Sequence, residues 1–153
     1  MKVFRSTEAG EAAYQVLDQA PGVYQFELFS PKLKKEQRSE LLRTGRVSNV
    51  KTAQFVANHE GPNLVSGGTI QIDFSKVDRS STRPYSGKHG DAAILAHETG
   101  HGVDYEQAPE KAKWIKDSQD PSIYENVREP EADKLRDAVV RELESRDGGG
   151  SRQ

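Results

Sequence analysis

The segment of this sequence with the clearest chemistry is His97-Glu98-Thr99-Gly100-His101, which has the pattern H-E-x-x-H. On an α-helix the two histidines lie one turn apart on the same face, so both imidazoles can reach one metal ion. Glu98 follows the first histidine, where its carboxylate can take a proton from a metal-bound water. Because the chain contains no cysteine, zinc must be held by imidazole and carboxylate groups. The motif predicts the metal-binding helix of a zinc hydrolase.

The residues around the motif favour a helix that is buried on one side. We expect this helix to run from about Asp91 to Glu106, with Asp91 as its N-cap. The apolar run Ala92–Ala96 and Val103 can bury its back against a core. The alternative interpretation, a solvated helix with two incidental histidines, does not require such an apolar back.

The third ligand is not a histidine of the same helix. A hydrolytic zinc site usually takes three protein ligands and one water. Six residues after His101 stands Gln107, so the longer pattern H-E-x-x-H-x-x-G-x-x-H is not fulfilled. The remaining histidines, His59 and His89, precede the motif in segments rich in turn residues, and we expect them at the surface. A carboxylate from a later helix is therefore favoured.

Glu129 is the favoured carboxylate. It follows the second motif histidine by 28 residues, and Pro130 suits the first turn of a helix expected over 130–146. Glu125 and Glu131 are the alternatives. Without a metal, these acidic residues would be a solvated helix N-terminus favoured by the helix dipole.

Other residues near these ligands are suited to supporting them. Asp133 shares a helical face with Glu129 and can accept a hydrogen bond from a ligand histidine. Ala132 is small enough for close helix packing, which would also explain Gly100, since glycine is costly within a helix. Asp104, three residues after the motif, is expected either to support a ligand or to lie in solvent.

A resemblance to a known family rests on these residues. The run Leu95–Asp104, followed by Glu129-x-x-Ala132-Asp133, resembles the gluzincins, which are zinc peptidases with H-E-x-x-H and a downstream glutamate. The segment Gly67–Asp73 is similar to the strand and loop before the motif in short zincin domains of bacterial secretion-system effectors and polymorphic toxins.

The resemblance implies a zinc metallopeptidase with a zincin-like fold. His97, His101 and Glu129 would bind Zn²⁺, and Glu98 would activate a zinc-bound water to hydrolyse a peptide bond. The substrate would be a protein or peptide, and an immunity protein or a secretion system would be a partner.

Two further features of the cleft are expected. The candidates for stabilising the oxyanion are Tyr105, Tyr124 and His89. The strand expected at 69–74 can lie along the cleft and pair with an extended substrate.

The patterns of apolar and turn residues predict an α+β fold. A small mixed or antiparallel sheet would pack on the motif helix and on the C-terminal ligand helix. Alternation predicts strands at 23–29, 52–57 and 69–74, with turn and loop at 58–68 and 75–90. Further helices are expected at 7–19, begun by Ser6 or Thr7, and at 31–46 and 109–116.

Length and charge limit the remaining possibilities. The 153 residues suit one domain, placed at 1–147, followed by a flexible Gly/Ser tail at 148–153. The net charge of −2 argues against nucleic acid as a partner. The segment Lys32–Arg46 has six basic and two acidic residues, and we expect a solvated helix face there. No apolar run fits a signal peptide or a membrane span, so we expect a cytoplasmic protein, or one exported without a signal peptide.

Two other functions remain as alternatives. A non-catalytic zinc module would have the same ligands and a fourth protein ligand, which would leave no coordination position open. A protein-interaction domain would use the basic segment Lys32–Arg46 and carry the motif by chance.

Overall fold

The computed structural model describes residues 1–29, 53–74, 89–108, 110 and 129–151, with the backbone alone at 148–151. The helices are α1 (Lys2–Arg5), α2 (Glu8–Asp18), α3 (Gly90–Gln107) and α4 (Glu129–Ser151). The strands are β1 (Tyr24–Phe29), β2 (Ala53–Glu60) and β3 (Asn63–Asp73). The helices predicted at 31–46 and 109–116 and most of the loop at 75–90 lie outside the described residues, as do Tyr124 and Glu125.

The described strands form one mixed sheet in the order β1-β3-β2. β1 runs parallel to β3, with Phe26 opposite Ile70, and β2 runs antiparallel to β3, with Phe55 opposite Ile70. The chain therefore has the predicted α+β architecture with a small mixed sheet and helices. Among the described helices, none has a stretch long and apolar enough to cross a lipid bilayer.

Two predictions about the sheet are wrong. Residues 58–68 are not an extended turn segment, because β2 and β3 form a hairpin whose turn is Gly61-Pro62. Gly61 has a φ of 59°, which suits glycine, and most side chains near the turn are exposed, so polar residues are compatible with strands there. The strand at 69–74 cannot pair with substrate, because β1 and β2 occupy both edges of β3.

The core lies between the sheet and the two long helices. Ile70 and Ile72 of β3 are fully buried, as are Ile94 of α3 and Val139 of α4. The alternation of β3 thus turns its isoleucines to the helices, while the apolar stripe of α4 meets the same core.

The N-terminal helices are held against α4. Thr7 is the N-cap of α2, and its hydroxyl accepts a hydrogen bond from the Gly10 amide at 2.9 Å. Two more amides at this helix end, those of Glu8 and Ala9, donate to the carboxylate oxygens of Glu142 at 2.7 and 2.9 Å. The carboxylate also interacts favourably with the positive end of the helix dipole.

The ends of α3 and α4 differ slightly from those predicted. His89 is the N-cap of α3, but its side chain makes no capping hydrogen bond to the helix, and Asp91 lies in the first turn instead. The backbone of α4 stays helical to Ser151, beyond the end expected at Arg146. Each glycine of the 148–150 run disfavours a helix by about 1 kcal/mol, but extending an existing helix does not repeat the cost of nucleation.

The contact between Glu142 and α2 gives a testable prediction. The variant E142A leaves two amides at the start of α2 without their carboxylate, and we expect its free energy of unfolding to fall by about 1 kcal/mol. The matched control is E144A, which removes an exposed glutamate from the same helix. Urea denaturation measures both, and equal values would contradict a capping role for Glu142.

Candidate metal centre

Three predicted ligands come together between α3 and α4. The Nε2 atom of His97 lies 3.1 Å from Oε2 of Glu129, and Nε2 of His101 lies 2.9 Å from Oε1. The two imidazoles are one helical turn apart on α3, and Glu129 is the first residue of α4. Each carboxylate oxygen therefore faces one imidazole nitrogen.

The spacing of these atoms fits a metal ion. One donor atom from each of the three residues lies within 4.8 Å of the others. Two bonds of about 2.1 Å at a tetrahedral angle place their donor atoms about 3.4 Å apart. The contacts of His97 and His101 with Glu129, at 3.1 and 2.9 Å, are somewhat shorter than that value, and the donor set of two imidazoles and one carboxylate suits a divalent cation. The group can hold a metal ion.

Asp133 orients one of the histidines. Its Oδ1 atom lies 2.9 Å from Nδ1 of His97. A carboxylate oxygen can only accept here, so Nδ1 carries the proton and donates it. In the neutral ring, this hydrogen bond leaves Nε2 unprotonated, as binding of a metal ion beside Glu129 would require.

The close approach of α3 and α4 depends on two small residues. A Cβ atom added to Gly100 would lie 2.8 Å from the Cα atom of Ala132 and 3.1 Å from its carbonyl oxygen. No side chain fits between the helices at this point. Glycine within α3 is thus explained by the contact that brings Glu129 to the histidines.

Glu98 lies in an environment that favours its neutral form. Its side chain points away from water, and the residue is only 7% exposed. Burial and, to a smaller extent, the negative charge of Glu129 together raise the pKa of Glu98 to about 8. A carboxyl group with a pKa near neutrality can both accept and release a proton at physiological pH.

The other predicted histidines and tyrosine lie elsewhere. Nδ1 of His59 is 3.1 Å from the Gly61 carbonyl oxygen at the hairpin turn. Nε2 of His89 is 2.9 Å from Oδ2 of Asp147, near the far end of α4. The Tyr105 hydroxyl donates to the Val65 carbonyl, so it is engaged with the hairpin. Among the described residues, none of the three joins the ligand group.

The remaining acidic candidates that the structure describes, Glu131 and Asp104, do not join the group either. Glu131 forms an ion pair with Lys134 at 2.8 Å. Together with Asp104, it lines a groove of about 270 Å³ between α2, α3 and α4. None of the three grouped ligands lines this groove.

One residue near the site was not found from the sequence. Arg136 contacts the carboxylate of Asp133, with NH1 2.9 Å from Oδ1. The two residues are three positions apart on α4, a spacing typical of helical ion pairs, and this was the signal that could have revealed it.

Comparisons with known proteins do not extend this description. No protein-family model matches the chain, and neither a curated protein nor a solved structure matches it. The function is therefore inferred from the arrangement of the residues themselves.

The contact between Gly100 and Ala132 predicts the effect of an added methyl group. In G100A the helices must separate, and we expect stability to fall by about 1–3 kcal/mol and zinc affinity to fall roughly tenfold. The control is G102A, where the nearest atom to an added Cβ, Cδ1 of Leu17, lies at an ordinary 3.4 Å. Thermal unfolding and zinc titration measure the two effects, and equal behaviour of the variants would contradict the contact.

The raised pKa of Glu98 predicts how the stability of the metal-free protein depends on pH. The unfolded chain releases this proton near the ordinary pKa of 4.5, whereas the folded chain keeps it to about 8. Between these values the folded state binds more protons, so stability falls as pH rises.

The variant E98Q should lack this fall in stability with rising pH. The difference in free energy of unfolding between the two proteins (E98Q minus wild type) should increase by up to about 1.4 kcal/mol for each pH unit between the two pKa values. Urea denaturation in the presence of a chelator, at about pH 5, 6, 7 and 8, measures this difference. Parallel curves for the two proteins would contradict the buried, neutral Glu98.

Proposed function

We propose that this chain is a zinc-dependent metallopeptidase of the gluzincin type, with His97, His101 and Glu129 as zinc ligands and Glu98 as general base. The observation that carries the proposal is the contact of both motif histidines with the two oxygens of Glu129. Motif and distant carboxylate are separate in sequence, and their convergence is not expected of incidental histidines.

The number of donors supports a catalytic centre over a closed structural one. Among the described residues, the ligand group contains three members. A structural zinc is usually closed by four protein ligands, whereas a hydrolytic zinc keeps one position for water or substrate. The side chain of Glu129 is also 33% exposed, while those of the histidines are 5% and 4% exposed, so the centre is accessible from one side.

Each side chain has a separate role in the proposed reaction. When bound, zinc supplies a Lewis acid that polarises the scissile carbonyl and lowers the pKa of water. Glu98 takes a proton from the attacking water and passes it to the leaving amine. Asp133 holds the His97 ring in the required tautomer through Nδ1. Burial of Glu98 keeps its proton affinity high enough for the return step.

The biological setting is an extension of the same proposal. The mixed sheet, the H-E-x-x-H helix and a ligand-bearing C-terminal helix agree with a zincin-like arrangement. Together with the resemblance of residues 67–73 to short zincin domains, this favours a bacterial effector or toxin that cleaves a protein substrate. An immunity protein or a secretion system is the partner expected for such a chain.

The variant E98Q tests the chemical role of Glu98. It keeps the shape of the side chain and all three ligands, so zinc content should stay near one per chain. Removing the general base should lower turnover by about 10²–10⁴-fold. Zinc is measured by mass spectrometry and turnover with fluorescent casein and a mixed peptide library. The companion variant H97A should lose both zinc and activity.

The alternatives give different results in the same experiment. A non-catalytic zinc module would bind zinc in wild type and E98Q alike, with no cleavage of either substrate. A protein-interaction domain with a fortuitous motif would purify without stoichiometric zinc. Either outcome would overturn the proposed peptidase activity.

A further inference from the structure

A single oxygen atom links the candidate metal centre to the surface of α4. Oδ1 of Asp133 lies 2.9 Å from Nδ1 of His97 and 2.9 Å from NH1 of Arg136. The imidazole N–H and the guanidinium N–H therefore both donate to the same carboxylate oxygen. The position of this oxygen cannot change without weakening one of the two hydrogen bonds.

The guanidinium of Arg136 is itself held in place. Its Nε and NH2 atoms lie 3.1 and 3.0 Å from Oδ1 of Asp137, the next residue of the helix. The Arg136 side chain is 21% exposed, compared with 57% for that of Asp137. One edge of the planar group thus faces Asp137, and NH1 is directed to Asp133.

From this geometry we infer that Arg136 is a positioning residue, which fixes the Asp133 carboxylate on Nδ1 of His97 and so increases the metal affinity of the centre. The inference rests on the metal centre proposed above. Arg136 acts only through Asp133.

Two opposing effects decide whether zinc affinity falls or rises when Arg136 is replaced. Without Arg136, the Asp133 carboxylate can rotate toward water, since its side chain is 36% exposed, and His97 loses its orienting partner. Loss of such a partner typically lowers metal affinity by about 10–100-fold. Removal of a positive charge near a cation acts the other way, but the charge of Arg136 is already compensated by the carboxylates of Asp133 and Asp137. Positioning should therefore dominate.

A lysine at this position separates the two effects. R136K keeps the positive charge and loses the planar fork that contacts both carboxylates. We expect zinc affinity, measured by competition with a chromophoric chelator, to fall about three- to tenfold. The visible absorption of the Co²⁺-substituted protein should change as well, because it reports the orientation of the ligands. The control is R141K, the same substitution at an exposed position of α4.

A double-mutant cycle shows whether Arg136 acts through Asp133. D133N alone should weaken zinc binding by about 10–100-fold. Adding R136K to D133N should then change affinity by less than about twofold, because the carboxylate that Arg136 positions is gone. Additive losses would show that Arg136 affects the centre by another route and would overturn the inference.

A second variant covers the case in which R136K folds poorly. D137N frees the opposite edge of the guanidinium without altering Arg136, and we expect a smaller loss of affinity, about two- to threefold. Wild-type affinity in both R136K and D137N would refute the positioning role while leaving the peptidase proposal intact. Failure of the wild-type protein itself to bind Zn²⁺ would refute both.

Discussion

The contact between α3 and α4 at Gly100 and Ala132 is the constraint on which the candidate metal centre depends. The two imidazoles belong to one helix and the carboxylate to the other, so the distance between the helices sets the distance between the ligands. Packed helices usually lie about 8–10 Å apart, and small residues at the contact allow the shorter end of that range. With an added Cβ only 2.8 Å from the Ala132 backbone, this contact leaves no room for adjustment.

Charge explains why a cation fits at this place. Glu129 and Asp133 contact imidazoles that are almost fully buried, and Glu98 lies near enough to Glu129 to be affected by its charge. A carboxylate that is removed from water, almost wholly as for Glu98 or in part as for Glu129 and Asp133, is stabilised by positive charge or hydrogen bonds, or becomes protonated. Arg136 compensates Asp133, and the raised pKa of Glu98 keeps that group neutral below about pH 8. The remaining negative charge is on Glu129, between the two histidines, where a divalent cation would be most strongly attracted.

The sequence predicted more of the site than of the strands' arrangement. The motif helix and the shared face of Glu129 and Asp133 follow from spacing of one helical turn, which is a local property. The choice of Glu129 itself depended on its 28-residue distance from His101 and on Pro130, which suits the first turn of a helix. The pairing order β1-β3-β2 depends on contacts between distant segments, and local alternation does not reveal which strand is central. Polar residues at 58–68 indicated turns because exposed hairpin arms and loops share a composition. Arg136 was missed because a helical ion pair usually has no functional role.

The far end of α4 contributes to the centre as well. Glu129 and Asp133 both lie in its first turns, so a tilt of the helix would move both away from the histidines. Glu142, Arg146 and Asp147 contact the start of α2, Ser6 and His89, respectively. At 1.5 Å per residue, these contacts lie about 20–27 Å along the helix from Glu129. Because they hold the opposite end of α4 in place, they resist a tilt of the helix. The N-terminal helices, which carry none of the three grouped residues, thus help to fix the geometry of the candidate metal centre.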